Sequence, residues 1–262
     1  MAGLEVWRSD AVLMRVLLDT AAASRKLNGI IKFWLTPGRG GFGLAPDECT
    51  EVGFYALATS EIVPKIDLLD KLSGYKACTS PIPPNKGRLA QIKSNNYLRN
   101  TLVLTDAREN GYDVGLFVDE EGHILEGPNM NIGIITQDDV FVTPPFDNCL
   151  AGVTMQRVME LIPGERERSP DDVIVSDIQQ RPITEEDMLK AKEAFLTGST
   201  LGVMPVVSIN GEPIGEDGKP GITALAFDAM LVEDMKVPES GERTQHIPVP
   251  FGRTTGMLEH LQ

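Results

Sequence analysis

The chain has 262 residues, and its 38 acidic side chains outnumber its 24 lysines and arginines, which gives a formal net charge of −14. Domains typically contain about 100 to 200 residues, so this length predicts one large or two modest domains. The negative charge repels phosphate backbones and anionic lipid, so neither nucleic acid nor a membrane is an expected partner. No segment approaches the roughly 20 consecutive apolar residues of a membrane-spanning helix.

The cysteines and the first residues bear on the compartment. Cys49, Cys78 and Cys149 are widely spaced without a CxxC pair, and there are only three histidines. This usage predicts a reducing compartment and no metal site. The first ten residues lack the basic-then-apolar order of a secretory signal. We therefore expect a cytoplasmic protein, with organellar targeting left open if the N-terminus is shortened.

The first elements are predicted in the order helix, strand, strand. Apolar spacing indicates a helix that fades near Lys26, with Asp10 as its N-cap. Residues 30–36 are rich in β-branched and aromatic side chains and predict a strand, which the glycine-rich residues 37–41 should end in a loop. A second strand is expected at residues 53–62. Residues 63–74 contain Pro64 and mixed charge, so we expect a domain boundary there.

Beyond this boundary the expected elements are short, and most are strands. Strands are predicted at residues 75–78, 114–118, 123–126, 131–136, 140–143, 173–176, 194–197 and 203–209. Helices are predicted at residues 94–110, 153–162, 184–193 and 222–235, with Gly111 and Pro163 as stop signals. Asn210-Gly211 is a strong two-residue hairpin signal. The organisation predicted is a small α+β domain at residues 1–68, a β-rich domain at 69–236 and a loosely ordered tail at 237–262.

Two side chains stand where chemistry is possible, although each also has an ordinary explanation. Lys93 precedes a predicted helix, and most lysines at such boundaries are solvated charges. Burial beside a cation or a cofactor would lower the pKa of its amine and free the lone pair for Schiff-base formation. Glu126 ends a predicted strand and, taken alone, is an ordinary loop carboxylate.

Two glycine turns flanked by hydroxyl groups are candidate anion sites. Gly152-Val153-Thr154 opens a predicted helix, and Gly198-Ser199-Thr200 follows a predicted strand. Free backbone amides at such positions can cradle a phosphate. Either turn alone is weak evidence, because glycine and threonine cap many helices. Two of them in an acidic chain indicate a phosphate held by amides and hydroxyls.

Four motifs in order carry a resemblance that is more specific than any of them alone. They are Lys93-Ser94-Asn95-Asn96-Tyr97, Glu126-Gly127-Pro128-Asn129-Met130-Asn131, Leu150-Ala151-Gly152-Val153-Thr154 and Thr197-Gly198-Ser199-Thr200. From about Asp10 to Met235 the chain resembles the class IV (fold-type IV) aminotransferases, which depend on pyridoxal 5'-phosphate (PLP) and include branched-chain and D-amino acid transaminases and aminodeoxychorismate lyase. The residues within these motifs are most similar to those of plant-type D-amino acid transaminases. The resemblance implies an α+β fold with a small N-terminal domain and a larger β-rich domain, in a homodimer.

The resemblance also implies a role for each motif. Lys93 would form the Schiff base with PLP and carry the substrate proton, Glu126 would pair with the pyridine nitrogen, and Tyr97 would hydrogen-bond the phenolic oxygen. Asn131 would support the cofactor loop. The phosphate would be held by Gly152, Val153, Thr154, Ser199 and Thr200. An amine suits an imine, a carboxylate suits a pyridinium, and amides and hydroxyls suit a phosphate.

Two departures from the family pattern stand out. Family members carry a longer segment before the lysine, including an arginine that clamps the phosphate, so we expect an incomplete small domain and weak PLP binding. The Arg-x-His motif of bacterial D-amino acid transaminases has no counterpart near residues 36–44. Lys32 and Arg39 are the local cations and our candidates for the substrate carboxylate, although both also fit as ordinary surface charges.

Three functions follow from these observations. The leading hypothesis is ping-pong transamination of a small or aliphatic amino acid, of the D-amino acid or branched-chain type, with a 2-oxo acid. An aminodeoxychorismate lyase shares the lysine and the fold, but the Tyr97 and Glu126 motifs are more similar to the transaminases. The departures at the N-terminus leave a truncated, non-catalytic PLP-binding homologue as the third possibility.

Overall fold

The computed structural model describes residues 9–41, 43, 45–60, 66–168, 175–236 and 247–251. Its helices are α1 Asp10–Ser24, α2 Leu68–Ser73, α3 Arg88–Gln91, α4 Leu98–Glu109, α5 Val153–Arg168, α6 Glu185–Lys190 and α7 Ile222–Asp234, with a short 3-10 helix at Pro46–Glu48. Its strands are β1 Ile30–Gly40, β2 Cys49–Thr59, β3 Tyr75–Ser80, β4 Val114–Val118, β5 His123–Gly127, β6 Met130–Ile135, β7 Val140–Thr143, β8 Asp177–Gln180, β9 Ile183–Thr184, β10 Glu193–Gly198, β11 Gly202–Ile209 and β12 Glu212–Pro213.

The chain divides into two compact units. The first unit contains Met1–Lys65 and Val237–Gln262, and the second contains Ile66–Lys236. The division lies inside the segment where we expected a boundary, but part of that segment is α2, which Asp67 caps through the amides of Leu69 and Asp70. Residues 237–246 and 252–262 of the expected tail lie outside the described residues. No described helix is long and apolar enough to span a membrane.

The first unit contains α1 and an antiparallel pair of long strands. The helix begins at Asp10, but its N-cap is Ser9 rather than Asp10, and Arg25, with a φ of 54°, follows its last residue as the C-cap. Strands β1 and β2 pair from Ile30 opposite Thr59 onward. The expected second strand therefore begins earlier than predicted, and its last residues, 61–62, lie outside the described residues.

The prediction that residues 37–41 form a loop is wrong for most of that segment. Strand β1 continues to Gly40, and its pairing with β2 shifts register between Thr36 and Arg39. A bulge of this kind accepts Pro37, which has no amide hydrogen for the ladder. Gly38 adopts a φ of 88°, and a Cβ there would collide with the carbonyl oxygen of Glu51. Glycine therefore allows the ribbon to continue where other residues would end it.

The second unit is built on a ten-stranded mixed sheet. Its strand order is β8-β7-β6-β10-β11-β3-β4-β5-β9, with β12 beside β11. An additional β5–β6 pairing joins two strands of this order, so that six strands, β6, β10, β11, β3, β4 and β5, form a closed ring of pairings. Closing a sheet in this way removes unpaired edges.

Two apolar clusters make up the core of the second unit. The first takes residues such as Leu116, Ile132 and Leu196 from the ring of strands. The second packs Phe141 and Phe195 of the sheet against α5 and α7. The side chain of Glu193 is also buried, and its carboxylate accepts hydrogen bonds from two amides at the start of α7. These contacts fix the helix that lies over β10 and β11.

Several predicted boundaries in the second unit are wrong. Helix α4 begins at Leu98 rather than Ser94, because the amide of Ser94 bonds to Ile92 in a turn. Helix α5 continues through Pro163, which is exposed and gives up one backbone hydrogen bond within the helix. Strand β8 follows the predicted residues 173–176, of which 175–176 are not strand and 173–174 lie outside the described residues.

The remaining elements agree well with the prediction. Strands β4 and β7 have the predicted bounds, and β5, β6, β10 and β11 differ by a residue or two at their ends. The hairpin signal is confirmed, since Asn210 and Gly211 both have positive φ and join β11 to β12. The predicted helix at 222–235 corresponds to α7, but the helix predicted at 184–193 is too long, since α6 ends at Lys190 and Glu193 begins β10. Helices α2 and α3 and strands β9 and β12 were not predicted.

Candidate active site

Lys93 and Tyr97 lie in the turn between α3 and α4. The Nζ of Lys93 donates a hydrogen bond to the Tyr97 hydroxyl at 3.0 Å. The same Nζ is 5.7 Å from the centre of the Tyr97 ring. Lys93 is exposed, so the described residues do not bury its amine. Any desolvation of this amine therefore has to come from a ligand or from groups beyond those described.

Glu126 is a partly buried carboxylate near the end of β5. Its Oε2 accepts a hydrogen bond from the amide of Leu150 at 3.2 Å. Burial raises the pKa of Glu126 to about 7, although the Leu150 amide and the positive charge of Lys93 both act to lower it. The carboxyl therefore exchanges its proton near neutral pH, and the amine of Lys93 is close enough for its charge to be felt.

Asn131 connects the carboxylate strand to the loop before α5. In the register of the sheet it is directly opposite Glu126 on one side and Thr197 on the other. Its Nδ2 donates to the carbonyl of Leu150 at 2.7 Å. A Cβ at Gly152 would lie 1.9 Å from the Asn131 Oδ1, so only glycine fits beside this amide. The structure therefore brings the second and third motifs together.

The start of α5 presents free backbone amides. The first intrahelical bond runs from the amide of Gln156 to the carbonyl of Gly152 at 3.0 Å. The amides of Val153 and Thr154 therefore have no partner within the helix. The helix dipole adds partial positive charge at the same end. These groups can hold an anion.

The turn between β10 and β11 carries the second set of hydroxyls. Ser199 and Thr200 are exposed there, and the amide of Leu201 closes the turn on the carbonyl of Gly198 at 3.1 Å. Thr197 is 1% exposed, and its Oγ1 has no hydrogen-bond partner in the described parts of the chain. A buried hydroxyl without a partner is costly, which marks this turn as a place where a polar ligand is expected.

Comparison with known protein families shows the family of this chain. The family model described as amino-transferase class IV matches residues 1–209. The chain belongs to the class IV aminotransferases. Its fold is that of the fold-type IV enzymes, as expected from the resemblance.

Individual class IV proteins give the degree of similarity. The chain is 35% identical over 240 residues to a chloroplastic D-amino-acid transaminase of Arabidopsis thaliana. The aligned region covers 91% of this chain and 61% of that protein. It is 30% identical over 134 residues to a branched-chain-amino-acid aminotransferase of Escherichia coli, which covers 51% of this chain and 40% of that protein. The chain therefore spans less than two thirds of the length of these curated relatives.

A solved class IV structure supports the fold independently. A branched-chain amino acid aminotransferase from T.th., solved with pyridoxamine 5'-phosphate, superimposes with a TM-score of 0.79. Its sequence is 22% identical, and the match covers 89% of this chain and 73% of that one.

The two candidate residues for binding the substrate carboxylate lie in the first unit. Lys32 and Arg39 are both exposed on β1, and Arg39 is directly opposite Glu51 in the register with β2. The contacts described above join only residues of the second unit. A role for Lys32 or Arg39 at the substrate carboxylate therefore stays a prediction.

Two groups at the candidate site were not predicted from the sequence. The amide of Leu150 bonds to Glu126, and Cys149 is buried beside Asn131, with 4.0 Å between Sγ and Nδ2. Burial, together with the charges of Glu126 and Asp147, raises the pKa of the Cys149 thiol to about 12. The thiol is therefore neutral and is a packing group rather than a nucleophile. Leu150 lies in a quoted motif, but nothing local indicates the direction of its amide.

Proposed function

We propose that this chain binds PLP and transaminates a small or aliphatic amino acid with a 2-oxo acid by a ping-pong reaction. The observation that carries the proposal is the placement of the Lys93 amine against Tyr97 and within electrostatic reach of Glu126. Membership of the class IV family supports it, and so does the D-amino-acid transaminase from Arabidopsis thaliana. We take the D-amino acid and branched-chain types as the two substrate classes to test.

The donor set fits the proposed cofactor. An amine for the aldehyde is available at Lys93, and a carboxylate for the ring nitrogen is available at Glu126. Unpaired amides begin α5, and the unpartnered Thr197 hydroxyl lies on the strand that leads into the Ser199-Thr200 turn. The glycine at position 152 leaves room beside Asn131 that any side chain would fill. Each chemical feature of PLP thus has a group in the second unit that suits it.

When bound, PLP supplies an electron sink for the bond that breaks at the substrate α-carbon. Lys93 would hold the cofactor through its Nζ and, when that amine is free, would move the proton between the substrate α-carbon and the C4′ carbon of the cofactor. Glu126 would hold a proton on the ring nitrogen. Burial raises the pKa of Glu126, and a positively charged ring nitrogen beside the carboxyl would favour its ionised form.

The other residues would orient the cofactor and anchor its phosphate. The Tyr97 hydroxyl would donate to the phenolic oxygen while it remains close to the Lys93 Nζ. The amides of Gly152, Val153 and Thr154 and the hydroxyls of Ser199 and Thr200 would hold the phosphate. Asn131 would keep the two loops together through its bond to Leu150.

We further propose a homodimer in a reducing compartment, with Lys32 or Arg39 at the substrate carboxylate. Sedimentation measures the first point, since a fully active monomer would contradict it. Arg39→Ala should raise the KM for the amino acid more than it lowers kcat if the side chain binds the carboxylate.

The proposed function is tested by adding PLP to the chain and following visible absorption, then assaying 2-oxo acid formation from D- and L-amino acids. Absorption with turnover on either series supports transamination. Release of pyruvate from aminodeoxychorismate without transamination would indicate the lyase. Visible absorption by bound PLP, without transamination and without pyruvate release, would indicate a non-catalytic PLP-binding protein. Lys93→Ala is the control for specific binding.

A further inference from the structure

The turn that carries Lys93 is not held by regular structure. Its backbone hydrogen bonds are local, from the amide of Ser94 to Ile92 and from the amide of Tyr97 to Asn95, both at 2.9 Å. Such bonds shape the turn, but they do not place it relative to the strands. Lys93 itself is exposed. Something else must therefore locate its amine.

Two side-chain amides flank the turn and reach the neighbouring loops. The Nε2 of Gln91, at the end of α3, donates to the backbone carbonyl of Asp147 at 3.1 Å. The Nδ2 of Asn100, in the first turn of α4, donates to the backbone carbonyl of Pro128. One bond therefore lies before Lys93 in the sequence and the other after it.

Both acceptor loops also locate Glu126. Pro128 belongs to the β5–β6 turn that begins directly after the strand carrying Glu126. Asp147 belongs to the loop whose Leu150 amide donates to the Glu126 carboxylate at 3.2 Å. The charge of Lys93 in turn lowers the pKa of Glu126. The turn of the amine and the strand of the carboxylate are thus linked twice, each time by a side-chain hydrogen bond and a short stretch of backbone.

We propose that Gln91 and Asn100 are positioning residues, which hold the Lys93 turn against the two loops of Glu126 and so fix the separation between the amine and the carboxylate. This inference rests on the proposed function and deepens it. Neither residue needs to touch the cofactor or the substrate. Because reactions between held groups depend steeply on geometry, loosening either bond should cost rate and change the environment of the amine.

The test uses Gln91→Met and Asn100→Leu, which keep the approximate shape of the side chain and remove the donor. Each variant is loaded with PLP, and its visible absorption is followed as a function of pH. We expect the pH midpoint of the absorption change to move from that of the wild type. We also expect kcat to fall about tenfold with little change in KM, since geometry rather than substrate binding is altered.

Matched controls exist for both changes. Asn110 directly follows the same helix, and its Nδ2 donates to the carbonyl of Asp106 at 2.8 Å. The Nε2 of Gln137 donates to the carbonyl of Lys190 at 3.1 Å, the same distance as at Gln91. Asn110→Leu and Gln137→Met remove the same kind of bond away from the turn. They should leave the spectrum and kcat unchanged.

The proposal is overturned if Gln91→Met and Asn100→Leu match these controls in both the absorption midpoint and kcat. Should Asn100→Leu fail to fold, Asn100→Ala removes the donor without adding apolar bulk or charge and gives the same test. Failure of the proposed function would look different. In that case wild-type protein treated with PLP and borohydride would carry no covalent PLP on Lys93, and the role of Gln91 and Asn100 would fall with the proposed function.

Discussion

The two compact units bury their aromatic side chains very differently. On the β1–β2 ribbon of the first unit, Phe33 is 59% exposed and Tyr55 is 61% exposed. In the second unit Phe141, Phe195 and Phe227 are all fully buried, with ring centres 5.3 to 5.7 Å apart. Every residue that we propose to bind PLP lies in the second unit. The cofactor groups therefore belong to the part of the chain with the packed core.

Within the second unit, the chemical groups lie at the surface of this core. Lys93, Ser199 and Thr200 are exposed in turns, whereas Asn131 and Thr197 are buried in the strands beneath them. This arrangement predicts that changes in the turns alter chemistry without altering stability, and that changes in the core do the opposite. The following experiments test that separation, and then the contrast between the units.

Lys93→Ala should have the largest effect. Removing the amine should lower turnover by at least about a thousandfold and abolish the PLP-dependent visible absorption. The urea midpoint should not change, because the side chain is exposed. Lys190→Ala is the control, since Lys190 is an exposed lysine of the same unit that pairs with a surface acid, Glu186. Residual wild-type absorption in Lys93→Ala would move the attachment to another lysine.

Phe195→Ala should have the largest effect on stability. It removes a fully buried ring that contacts two others, so the free energy of unfolding should fall by about 3–5 kcal/mol in urea titration. Protein that remains folded should keep the spectrum of the bound cofactor. A loss below about 1 kcal/mol would mean that this cluster collapses or is not packed as described.

The effect of Glu126→Gln on turnover should lie between the effects of Lys93→Ala and Phe195→Ala. Losing a charged hydrogen bond in a partly buried site costs about 1.5–3 kcal/mol, or about ten- to a hundredfold in turnover. PLP should still bind, because Lys93 and the phosphate groups remain. Turnover equal to that of the wild type would remove Glu126 from the site.

The raised pKa of Glu126 also predicts how stability depends on pH. The folded protein holds this proton more tightly than the unfolded chain does, so the contribution of Glu126 is fully present below about pH 4.5. It is lost as the pH rises from about 4.5 through about 7, at a cost of about 3 kcal/mol. Urea titrations of the PLP-free protein from pH 5 to pH 8 should show this decline. The decline should be smaller in Glu126→Gln, and equal slopes would contradict the assignment.

The sequence predicted the second unit better than the first, for a physical reason. Strands β4 and β7 pack on a core, so their apolar runs identified them with the correct bounds. Two of the errors arose where proline or glycine was read as a stop signal, at Pro37 in β1 and at Pro163 in α5. At Pro37 the strand continues through a shift in register, and at Pro163 the helix continues with the proline exposed. A single residue does not indicate either outcome.

The candidate site shows the same limit. The motifs brought Lys93, Glu126 and Asn131 into the prediction because their residue types are informative. Gln91 and Asn100 were missed because each donates to a backbone carbonyl far away in the sequence, at Asp147 and Pro128. A carbonyl has no residue type to read, so such partners emerge only when the fold is known.

Phe33→Thr on the exposed ribbon should have the smallest effect. Because more than half of the Phe33 side chain is exposed, and threonine is a good strand residue, the free energy of unfolding should change by less than about 0.5 kcal/mol. The PLP titration should match that of the wild type. A larger loss that grows with protein concentration would mean that a second copy of the chain covers this face in solution. A larger loss independent of concentration would mean that the ribbon is buried within one chain, and the contrast between the two units would then be wrong.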